Sequence, residues 1–301
     1  MEYFKIDDVQ SNGRLFNRDL NIPFQPVFRI GGTYQPKEYT FLRASYGQGY
    51  RFPSIAEKYI STFVGGLNIF PNQNIQPEYG WSSEIGIKQG FKINNFKGYL
   101  DLSAFITQYT DMMEFMFGFY DLDGSDITGQ ELQNIVVANN FDFSILANYL
   151  GARSTNIQDA NIPGFEISIV GQGNLSKNLS FTTLAGYTFI NPTPIKPDTN
   201  YILTFSNPDT NDINKTVLKY RNRHMLKIDF QLDYKKFSLG TSMRYTSLME
   251  NIDDVFTGPL PGITIDGEPV EILPENGEYR NSRMTGDVIF DARLAYQVNK
   301  K

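Results

Sequence analysis

The chain has 301 residues, a formal net charge of −6 from 27 basic and 33 acidic side chains, and a sequence pI near 5.0. That balance leaves no basic stripe to neutralise a phosphate backbone, so nucleic acid is not an expected partner. Cys is absent and His occurs once, which excludes disulfide frameworks, thiolate zinc sites, iron–sulfur clusters and Cys nucleophiles together; neither a cofactor nor a metal is expected.

The 24 Phe, 18 Tyr, 25 Gly and 15 Pro are spread along the whole length, a pattern that predicts many strands and turns. No window approaches the ~18 uninterrupted apolar residues that a spanning helix requires. The densest stretch, Met112 to Tyr120, is short and contains Glu114. A membrane, if met, must be crossed by strands. Met1 to Asp8 shows no basic segment leading into an apolar run and a small-residue cleavage site, so no secretory signal is expected.

In chain order the sequence predicts strands near 26–35, 39–47, 81–91, 97–110, 160–174, 179–190, 219–234, 237–247 and 286–298. Alternation with period two carries the assignment, because it sends successive side chains to opposite faces. Leu226, Ile228, Phe230, Leu232 and Tyr234 share one face, while Lys227, Asp229, Gln231 and Asp233 share the other. Phe237, Leu239, Met243 and Tyr245 repeat the pattern after Lys235-Lys236. Leu100, Leu102, Ala104 and Ile106 do so earlier, and Val288, Phe290, Ala292, Leu294 and Tyr296 do so later.

Tight connections are predicted at 36–38, 94–95, 176–178 and 235–236, and long ones at 48–80, 111–159, 191–218 and 248–285. Short and long take turns, as they do in outer-membrane barrels. A soluble β-sandwich also alternates when one face is solvated. It has no reason to gather every long loop at one end, and its strands usually run only ~5–6 residues.

The segment from Pro26 to Tyr59 resembles the barrel of TonB-dependent receptors, in which an ascending strand ends in Gly-aromatic-Arg-x-Pro with a Glu shortly after; Gly49, Tyr50, Arg51, Pro53 and Glu57 match it. Asn74, Ile75, Pro77 and Glu78, followed by Glu84, Gly86 and Lys88, resemble a second element. Gly164-Phe165-Glu166 resembles a strand start, Arg221 and His224 resemble the beginning of a late strand, and Phe290 to Tyr296 resembles the strand before the last hairpin. The wording is most similar to receptors of Bacteroidetes-type bacteria.

The resemblance implies an all-β fold: an antiparallel transmembrane β-barrel segment of about nine strands from a 22-stranded barrel. All of 1–301 is then part of one barrel domain in the cell outer membrane, without plug, TonB-contacting box or last strands. Its implied function is energy-coupled uptake of a scarce nutrient, whether iron chelate, cobalamin or glycan, and not catalysis. The implied partners are outer-membrane lipid, the small nutrient ligand, and the TonB complex acting through the missing plug. The rival readings are a soluble carbohydrate-binding or hydrolase β-domain and a passive porin.

Candidate ligand contacts are Tyr50, Arg51, Glu57, Tyr59 and Phe63. Charges on a lumen wall, including Arg43, Glu78 and Glu84, also pair with one another or with a plug, and aromatic residues also form girdles at the membrane interfaces. Asp121, Asp123 and Ser125 alternate like calcium ligands, but Asp126 and Leu132 stand where the turn Gly and terminal Glu are needed. Gly47-x-Gly49 and Gly171-x-Gly173 lack the third Gly of a phosphate cradle. No nucleophile elbow accompanies His224 and Asp229.

Overall fold

The computed structural model describes residues 25–64, 67–195, 217–253, 256–265, 268–271, 273–282 and 285–298. The first half contains β1 (Arg29–Lys37), β2 (Thr40–Arg51), α1 (Ile55–Tyr59), β3 (Thr62–Val64), β4 (Leu67–Phe70), β5 (Glu78–Ile93), β6 (Phe96–Phe119) and α2 (Gly129–Ala138). After a 3₁₀ turn over Phe143–Asn148 come β7 (Leu150–Ser176), β8 (Leu179–Ile190), β9 (Thr193–Pro194), β10 (His224–Tyr234), β11 (Phe237–Thr246), β12 (Pro259–Ile265), β13 (Glu268–Glu271), α3 (Asn276–Ser282) and β14 (Asp287–Tyr296).

Nine of these strands form one antiparallel path in the order β1-β2-β5-β6-β7-β8-β10-β11-β14. They are the nine that the alternation predicts. Two-residue turns join them at Glu38-Tyr39, Asn94-Asn95, Lys177-Asn178 and Lys235-Lys236. Asn94 at φ 51° and Lys235 at φ 52° supply the left-handed backbone that such hairpin turns favour. Every antiparallel connection reverses the chain, so the four turns share one end of the sheet and the long connections the other.

Register fixes the faces. Ile228 stands opposite Ala185 and Met243, and Ala185 in turn opposite Ile169, which faces Leu100. The row Leu42, Ile87, Leu102, Ile167 and Tyr187 lies on the same side. It continues without a charged residue to Leu226 and Tyr245. Much of this face is uncovered by protein: Phe290 is 70% and Leu294 75% exposed. A surface this apolar needs a non-aqueous partner. The opposite face carries Arg43, Glu84, Asp101, Glu166, Asp229, Asp291 and Arg293.

Aromatic rings bound the apolar face at both ends, as expected where chain meets lipid headgroups. Near the turns Phe91 meets Phe96 at 5.1 Å and Phe237 meets Tyr296 at 4.8 Å. At the far end Tyr46 lies 6.0 Å from Trp81, and Phe189 lies 5.0 Å from His224. Between these belts the 11 residues of β10 rise about 33 Å along the strand. At a tilt of roughly 40° that is about 25 Å along the membrane normal, the height of a barrel's apolar band.

The expected loop over 111–159 is corrected by the structure. β6 continues to Phe119 and β7 begins at Leu150, so the two pair far beyond the aromatic belt. A register shift between Tyr109 and Met112, with Asp111 at φ 53°, breaks the alternation at the junction. Past it, clusters built on Met112, Ile157 and Leu218 and on Phe117 and Ala152 hold the extension together. β5 likewise begins at Glu78, β10 at His224, and Gly164-Phe165-Glu166 lies within β7 rather than at its start. Most of the expected loop over 191–218 lies outside the described residues.

Candidate functional site

The polar face is recessed just below the long connections, in a hollow of about 440 Å³ lined by Arg29, Gly47, Gly49, Arg51, Glu78 and Tyr109 among others. Gly49 pairs with Gly80 across β2 and β5. A Cβ at Gly49 would meet no atom within 4 Å, whereas one at Gly80 would come within 3.1 Å of the Tyr109 ring. The glycines thus lower the wall, and Tyr109 lies over the lowered part.

Arg51 closes one side of the hollow. It stands opposite Glu78 in register, yet its guanidinium turns to Glu57 at 2.5 Å and to the Met113 sulfur at 3.4 Å. Glu78 instead accepts the Met113 backbone N–H at 2.8 Å. Glu57 sits at the third position of α1, where Ser54 caps the helix and the Glu57 carboxylate accepts the Ser54 N–H at 2.7 Å. Burial alone pushes the Glu57 carboxyl up, but the bonds from Ser54 and the Arg51 charge outweigh it and hold the group below the ordinary glutamate value.

The structure therefore brings Arg51 and Glu57 together as an internal pair. Tyr50 points to the other face by alternation, with Phe52 at 4.5 Å edge-on and Tyr79 at 6.4 Å, beside the outer aromatic belt. Tyr59 ends α1, half-buried. Phe63 stands apart on β3 and is 66% exposed.

The second family-like element also works as a fastening. Ile75 is 1% exposed, while Asn156 accepts the Gln76 N–H at 2.7 Å and donates to the Gln76 carbonyl at 2.9 Å. β4 then adds to the outer end of β7 as a parallel strand, Asn68 to Phe70 beside Gly151 to Arg153. Arg153, itself buried, donates to the Gly124 carbonyl at 2.6 Å, pairs with Asp126 at 3.1 Å and lies 4.4 Å from the Tyr120 ring centre. Asp121 and Asp123 accept the N–H groups of Leu122 and Ser125, so both carboxylates serve the turn itself.

A set of fastenings that motif reading did not reveal surrounds 219–224. Lys219 and Tyr220 both donate to Asp253, which is 1% exposed. Burial, then the Asp253 charge, pushes the Tyr220 hydroxyl far above its ordinary range. Arg221 reaches Glu114 on β6 at 2.5 Å, and Arg223 reaches Glu250 at 3.2 Å and Asn191 at 2.9 Å. His224 shares a 2.7 Å bond with the Tyr187 hydroxyl. The sequence marks Arg221 and His224 only as the beginning of a late strand; the acidic partners of Arg223 and Arg221 lie 27 and 107 residues away, beyond any local pattern.

Long antiparallel strands, an apolar band between aromatic belts and a polar inner face define a segment of an outer-membrane β-barrel. The profile of the family described as TonB dependent receptor-like, beta-barrel matches residues 3–301. The chain belongs to that family, one of outer-membrane transport receptors. The chain is 26% identical over 152 residues to the hemoglobin and hemoglobin-haptoglobin-binding protein A of Haemophilus influenzae, a match covering 50% of this chain and 12% of that protein. The ferric enterobactin receptor of Pseudomonas aeruginosa superposes with a TM-score of 0.48 at 13% identity, over 91% of this chain and 33% of that one. Copper transporter OprC does so with a TM-score of 0.46 at 15% identity, over 90% and 31%. The chain thus spans about a third of the length of these solved structures.

Proposed function

We propose that this chain forms wall and outer loops of a receptor that imports a scarce nutrient, with transport driven by the TonB complex acting on a plug inside the barrel. The observation that carries the reading is the end-to-end asymmetry of the sheet. Four turns of two residues close one end, and at the other the connections form a fastened superstructure over a polar hollow. The turn end faces the periplasm and the superstructure faces outward. Arg51 and Glu57 hold the loop frame over the hollow, Tyr59 and Phe63 contact the ligand, and Tyr50 belongs to the outer girdle.

Among iron chelate, cobalamin and glycan, we assign an iron-carrying ligand; the sequence match to a haemoglobin-binding protein supports it. Deleting the full-length gene should abolish growth on haem or a ferric chelate as sole iron source, with growth restored by a plasmid copy. Loss confined to cobalamin or glycan utilisation would overturn the ligand class, and unimpaired growth on all of them would overturn uptake itself.

A further inference from the structure

The turn end carries an electrostatic feature that transport does not require. Lys177 lies in the β7–β8 turn and Lys235 and Lys236 form the β10–β11 turn, all three exposed. The two turns are joined directly, because the Lys235 backbone N–H donates to the Asn178 carbonyl at 3.2 Å. None of the three ammonium groups has a carboxylate partner among the described residues. The nearest acid in sequence, Asp233, lies on the polar face and is engaged by Gln231 and Ser238.

On the apolar face the same turns are bordered by rings. Lys235 Nζ lies 5.3 Å from the Tyr234 ring centre, and Lys236 Nζ lies 5.9 Å from that of Tyr296 while donating to the Val298 carbonyl at 3.4 Å. Tyr234, Phe237 and Tyr296 are each about half exposed on that face. Rings of this kind settle at headgroup depth, and lysine stems run along apolar surface to place their charge just beyond it. Three cations without a carboxylate partner among the described residues are thus carried on adjoining turns beside rings of the kind that settle at headgroup depth.

We propose that Lys177, Lys235 and Lys236 form a seat for the headgroup phosphate of an anionic glycerophospholipid in the leaflet that meets the turns. Acyl chains lie along Tyr234, Phe237 and Tyr296, and the headgroup lies across the two joined turns, where the flexible lysine stems reach its phosphate. The seat depends on membrane embedding, not on which nutrient is carried or which compartment the turns face, so its test is separate from that of uptake.

The full-length receptor, reconstituted in nanodiscs of phosphatidylethanolamine with a minority of phosphatidylglycerol and re-extracted, should retain phosphatidylglycerol above its bulk fraction. Each Lys→Gln change should weaken that retention about fivefold, the effect of one cation near an anionic surface. The triple Lys→Arg variant should keep it. Heat-modifiable gel migration certifies that each variant is assembled, and the single Lys235→Gln variant carries the test if the triple Gln variant does not assemble. No enrichment with the unaltered receptor, undiminished enrichment in an assembled Gln variant, or displacement of the lipid by inorganic phosphate would each overturn the assignment.

Discussion

Arg43 lies across Gly86, its opposite number on β5: a Cβ at position 86 would come within 2.6 Å of the guanidinium carbon. The absence of that Cβ lets one arginine span three strands, bonding Glu84 at 2.8 Å on β5 and Asp101 at 2.6 Å on β6. Gly86→Ala should displace the guanidinium and lower the thermal midpoint of the refolded barrel, while the same change in an Arg43→Ala background should cost much less. Residues that share one network in this way couple by roughly 0.5–3 kcal/mol. Additive losses in the double-mutant cycle would show that Gly86 acts through something other than Arg43.

The Glu57 carboxyl is held low in the folded state, so its contribution to loop order is complete above the ordinary glutamate value of 4.5 and is lost as pH falls through the lower folded value. Hydrogen exchange at Asn72, whose N–H donates to the Glu57 carbonyl at 2.8 Å, should therefore accelerate below that pH once corrected for intrinsic chemistry. Glu57→Gln should abolish the acid step. An identical step in the variant would assign the transition to another group.

Asp253 accepts from two donors out of contact with water, and truncating one member of a buried ion pair typically costs about 3–5 kcal/mol because the remaining charge stays buried. Asp253→Ala should open 217–224 and 247–253 to limited proteolysis without unfolding the membrane-embedded strands. Adding Lys219→Met should restore much of the resistance. Unchanged digestion in the single variant would mean that the pair does not hold these loops.

This chain has no Cys, so it adds no background of its own to single-Cys labelling. In intact cells making the full-length receptor, Cys at Asn68 or Ser125 should react with a membrane-impermeant reagent, and Cys at Asn95 or Lys177 should not. The corresponding probe sites in the other two loops, Asn207 and Gly267, lie outside the described residues. Labelling at the turns with silence at Asn68 and Ser125 would invert the proposed orientation.

What was legible in the sequence depended on whether the physics is local. Alternation along β10 and β11 and the turn residues between them express pleat and hairpin geometry, which neighbouring residues carry, so strands, turns and faces were readable. The outer halves of β6 and β7 were not. Ser154, Thr155 and Asn156 are polar on consecutive positions where they bond Glu57, Asn72 and Gln76 of the connection between β2 and β5, and Met112 beside Met113 falls at a register shift. Arg51 and Glu57 were visible as a motif, but their mutual bond depends on α1 folding back over six residues of chain. Asp253 and Glu114 gave no signal, since their partners join them only after loops distant in sequence have packed.

That β10 separates lipid from lumen by alternate residues follows from its register with β8 and β11. It is tested most directly by placing Arg at Phe230 and, separately, at Gln231 in the full-length receptor and measuring assembly by heat-modifiable migration of outer-membrane fractions. Phe230 stands between Thr183 and Thr241 on the apolar face, near the middle of the band, where an Arg costs roughly 2–4 kcal/mol; Gln231 points to the polar side. Phe230→Arg should fail to assemble while Gln231→Arg reaches wild-type levels; equal assembly of the two variants, or failure of Gln231→Arg alone, would overturn the facing of β10.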